Sequence, residues 1–75
     1  MQEVTEQEAK RLVTKRNIHR VFGRDAKLDR AFVVHPETKT RSEVYSVGDV
    51  NIFSISASAG SLVIMVNVNI LSNEN

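Results

Sequence analysis

The sequence predicts an α+β domain: one or two N-terminal helices packed on a four-stranded antiparallel β-meander. Three observations carry this. Thr5-Glu6-Gln7-Glu8 has the spacing of a helix capping box. The apolar period changes from helical to two at Ala31. Leu62 to Leu71 then alternates as a half-buried strand does, with Leu62, Ile64, Val66, Val68 and Ile70 on one side.

The first helix starts at Thr5 or Glu6, because the Thr5 hydroxyl can accept from the Glu8 amide. Glu3, Glu6 and Glu8 suit the positive end of its dipole. Ala9, Leu12 and Val13 share one face, whereas continuing the same helix throws Ile18, Val21 and Phe22 to the opposite face. Burial on both sides does not suit a domain this small, so a break is predicted near Thr14–Lys15. The second helix then runs from Lys15 to about Leu28, with Ile18, Val21, Phe22 and Leu28 as its apolar stripe. A single unbroken helix from the N-terminal cap to Gly23 is the competing reading, since glycine favours the left-handed position after a helix end.

Ala31–His35 reads as a strand, Pro36-Glu37-Thr38-Lys39 as a turn and Arg41–Val47 as the returning strand. Gly48-Asp49 marks the next bend, Val50–Ser58 the third strand, Ala59-Gly60-Ser61 a tight connection, and Leu62–Leu71 the fourth strand. Short connections make neighbours antiparallel. The chain therefore reads as one domain, 1–75: a basic helical part at 5–28, a sheet at 31–71 and a frayed tail at 72–75. The predicted core is Leu12, Val13, Ile18, Phe22, Phe32, Val34, Ile52, Ile64, Val66 and Val68.

Composition narrows function by exclusion. A chain of 75 residues buries only about 60% of its unfolded surface, so small domains recruit disulfides, metals or partners. There is no cysteine, and His19 and His35 are too few for a zinc framework. The isolated glycines form no phosphate-binding loop, and no nucleophile-elbow spacing accompanies the serines. No enzyme activity, cofactor or metal is expected. The polar, acidic Met1 to Lys10 stretch does not resemble a signal peptide, and no apolar run reaches the ~20 residues that cross a bilayer. The expectation is a cytoplasmic protein with no membrane association.

The net charge of +1 conceals an asymmetry. Between Lys10 and Arg30 eight basic residues face only Asp25 and Asp29, a local charge of +6. Arg16, Arg20, Arg24 and Lys27 fall together opposite the apolar stripe, where they can contact successive phosphates of DNA or RNA. Asn17 and His19 are side chains able to read base edges. Helix, short turn, basic helix and hairpin resemble in outline a winged helix-turn-helix. The turn lacks the usual glycine, however, and the Val50–Leu71 half has no counterpart in the simplest versions. The alternative function is a protein-interaction module or phage-type inhibitor that binds an acidic protein surface through this face or through a β edge. Val63, Met65 and Leu71 leave the second face of the last strand apolar, which raises a homodimer through 62–71 as a further expectation.

Overall fold

The structure, a computed structural model, describes residues 1–72. Its elements are β1 (Gln2–Val4), α1 (Glu6–Leu12), α2 (Lys15–Phe22), β2 (Asp29–His35), β3 (Thr40–Val47), β4 (Val50–Ser58), β5 (Ser61–Val66) and α3 (Val68–Leu71). The sheet order is β1-β5-β4-β3-β2, with every neighbouring pair antiparallel. The α+β class and the meander are as the sequence predicts. The sheet has five strands rather than four, because Gln2–Val4 pairs with Ile64–Val66.

Capping explains the helical half. Thr5 accepts from the Glu8 amide at 3.1 Å and starts α1, while the Glu8 carboxylate bonds Arg11 rather than reaching back. Thr14 accepts from the Asn17 amide at 3.1 Å and starts α2, so the break lies where the apolar faces conflict. The helix does not continue to Leu28. Gly23 adopts φ 96° and ψ 169°, a region essentially closed to other residues, and ends α2 after Phe22.

The last predicted strand is also shorter. It stops at Val66, where Asn67 turns out of the sheet: its amide donates to the Ile52 carbonyl at 2.8 Å and its side chain to the Asn51 carbonyl at 3.0 Å. Val68–Leu71 then forms a helical turn that carries Leu71 into the core. Ser72 caps that turn, bonding the Val68 carbonyl, instead of fraying. The rest of the predicted tail, 73–75, lies outside the described residues.

The core consists of Leu12, Ile18, Ile52, Val66 and Leu71, one residue from each of α1, α2, β4, β5 and α3. Ile52 enters it through a register shift. Tyr45 lies opposite Phe53 but Ser46 lies opposite Asn51, so Ile52 has no cross-strand partner. Simple alternation would separate Ile52 from Phe53; the extra residue lets both reach the same core. Val13, Phe22, Ile64 and Val68 pack around the cluster half-buried. Phe32 and Val34, predicted to be core, are 65% and 61% exposed because the helices stop short of β2.

Sheet alternation places Val33, Val44, Val63 and Met65 on the face away from the helices, and none of them joins the core. β5 pairs with β4 on one side and, over Ile64–Val66, with β1 on the other, which leaves only Ser61–Val63 open on that flank. The edges of the sheet are β1 and β2.

Candidate nucleic-acid interface

The short Val13–Thr14 link folds α2 back beside the end of α1. This brings Arg11, Thr14, Arg16, Asn17 and Arg20 around one cleft of about 400 Å³. Arg16 and Arg20 are four residues apart on one side of α2, and Arg11 arrives from the last turn of α1. Three arginines thus line one concavity, and Arg11 also pairs with the Glu8 carboxylate. Such a concentration of one sign focuses a positive potential on the cleft.

The cleft is braced from beneath. The Asn17 side chain donates to the Leu12 carbonyl at 2.8 Å, satisfying an acceptor left open at the end of α1. The Arg20 guanidinium donates to the Leu71 carbonyl at 3.1 Å and to Asn17 Oδ1 at 3.5 Å. Arg20 thereby ties α2 to the end of α3. Arg16 is exposed and makes no hydrogen bond or ion pair among the described residues.

The other predicted site residues are not gathered here. His19 lies in a different, mainly apolar cleft with Val13, Ile18, Ala26, Leu28 and Phe53, where Thr14 and Lys15 also line the wall. Arg24 and Lys27 follow Gly23 in the exposed segment that leads to β2, so they do not extend the α2 stripe. Sequence reasoning overlooked Arg11 as a site residue. Its spacing from Glu8 signalled an ion pair, which forms, but its approach to Arg16 depends on the angle between two helices.

The hairpin Asp29–Val47 is part of the five-stranded sheet rather than a separate wing. Among the described residues no helix is long and apolar enough to cross a membrane. No protein-family model, curated protein or solved structure matches the chain.

Proposed function

We propose that the protein is a small, non-catalytic, cytoplasmic nucleic-acid-binding protein that grips the phosphate backbone through Arg11, Arg16 and Arg20. The observation supporting this reading is the convergence of those arginines, from two helices, on one cleft. Asn17 spends its side chain on Leu12 and Arg20, and His19 lines a separate cleft away from the three arginines, so neither joins them as a base reader. The reading is therefore of sequence-independent binding, with Arg24 and Lys27 as outlying phosphate contacts.

Three phosphate contacts on duplex DNA give a log–log salt slope of about −2.7, a loss of roughly fortyfold between about 50 and 200 mM salt. Fluorescence anisotropy with duplex DNA, single-stranded DNA and RNA at those two salt concentrations tests it. Absence of binding to all three at the lower concentration would sink the proposal. The second reading, an acidic protein surface seated on the same arginines, draws on the same braced geometry: Arg20 is held by two partners, which lowers the entropy lost on docking.

A further inference from the structure

The two edges of the sheet differ in kind. β1 is three residues long, and such a short edge offers little for another chain to pair with. β2 is seven residues long, is paired only with β3, and is exposed along its entire length. Natural proteins blunt such an edge with charged side chains, lysine above all, a proline, a bulge or a covering element. β2 carries its charges, Asp29 and Arg30, only at its start and has none of the other devices. Its register with β3 is unbroken, and Pro36 falls after its end. The one basic residue near its start, Arg30, lies over its own Phe32 ring at 4.7 Å, on the helix-side face of the sheet rather than across the open edge. Between Arg30 and His35 the strand reads Ala31-Phe32-Val33-Val34, without charge.

The molecule also exposes more surface than its mass predicts. A compact monomer of 8.4 kDa exposes about 4,600 Å², whereas this chain exposes 5611 Å². The surplus, about 1,000 Å², is of the order of the roughly 800 Å² that each partner contributes to a standard interface. The radius of gyration agrees in direction: 12.9 Å against about 11.3 Å for a compact chain of this length. Phe32 and Val34, both on β2, are the two most exposed large apolar side chains.

We infer that β2 is a self-association edge, on which a second copy of this chain pairs antiparallel in the register centred on Phe32. Closed two-fold pairing needs a surface complementary to itself, and this register supplies one. Phe32 meets the partner's Phe32 on the axis, and Ala31 meets the partner's Val33. Asp29 meets the partner's His35 at both ends, an acidic group facing an imidazole donor twice. Two five-stranded sheets become one continuous sheet, and the exposed Phe32 side chains cover each other.

Because the chain has no cysteine, single-thiol variants test the register directly. Directly opposed residues of an antiparallel pair hold their Cβ atoms about 4.5–5.5 Å apart, near enough to bridge with slight adjustment. On mild oxidation Phe32→Cys should convert to a disulfide-linked dimer, while Val34→Cys, opposite the partner's Arg30, should remain largely uncrosslinked. Sedimentation of the unmodified chain from micromolar to millimolar concentration should show mass rising from one protomer to two. Phe32→Lys should stay monomeric with an unchanged circular dichroism spectrum. Asp29→Lys should weaken the dimer by between about twofold and thirtyfold, and adding His35→Asp should restore it by exchanging the charges. A single-protomer mass throughout, a dimer indifferent to Phe32→Lys, or equal crosslinking of the two cysteine variants would overturn the inference.

Discussion

The Asn17 side-chain amide donates to the Leu12 carbonyl across 2.8 Å, so a residue in the first turn of α2 closes the last turn of α1. The same side chain accepts from Arg20, which in turn holds the end of α3. One amide therefore links all three helices, and removing it affects the helical layer as a unit.

Asn17→Ala should lower stability by about 1–2 kcal/mol, the cost of leaving a part-buried carbonyl without its donor. Urea denaturation is the measurement: the midpoint should fall while the slope stays constant. An unchanged midpoint would mean that water replaces the amide without cost.

Gly23→Ala separates two readings of the helical segment. In a helix running on to Leu28, alanine would stabilise by about 1 kcal/mol. At φ 96° it should instead destabilise by about 1 kcal/mol or more, because the added Cβ strains the backbone even though nothing lies within 4 Å of it. The sign of the change in melting temperature decides between them.

Ala59 carries φ 45° beside Gly60 at φ 83°, in the two-residue turn between β4 and β5. Two successive left-handed residues suit an asparagine–glycine pair. Ala59→Asn should stabilise by about 0.5–1 kcal/mol, because asparagine tolerates this conformation better than alanine. Thermal unfolding monitored by circular dichroism reads the gain.

For binding, Arg16→Ala should weaken affinity for DNA uniformly across sequences and reduce the magnitude of the salt slope by about 1. Lys27→Ala, beyond the end of α2 and outside the cleft, should change the slope less. Equal effects at the two positions would mean that the cleft is not the gripping element.

What could be read in advance follows the range of each interaction. Thr5 and Thr14 were legible because a cap is a bond to a backbone group three residues away. A break was legible from the angle between apolar faces, expected near Thr14–Lys15 and found at Val13–Thr14. β1 was not, since Gln2-Glu3-Val4 is too short to show a period and acquires its conformation from Ile64–Val66. Val68–Leu71 alternates as well as any strand. What bends it into a helix is the Asn67 bond to the unpaired Ile52, a contact no local pattern encodes. At the cleft, the spacing of Arg16 and Arg20 gave their shared side, whereas including Arg11 required knowing how the Val13–Thr14 link places α2 against the end of α1. The exposure of Phe32 was hidden because alternation assigns a face but not how far the helices extend over it.

The pairing of Val4 with Ile64 sets an order of assembly. During synthesis Gln2–Val4 emerges well before Ile64–Val66, so it has no place to dock until β5 has followed, and such distant pairing is slow to find. Until then the apolar strand Ser61–Val66 presents an open flank of its own. β1 closes that flank over Ile64–Val66 only at the end, and a chain without it keeps an apolar edge open to pairing with other chains.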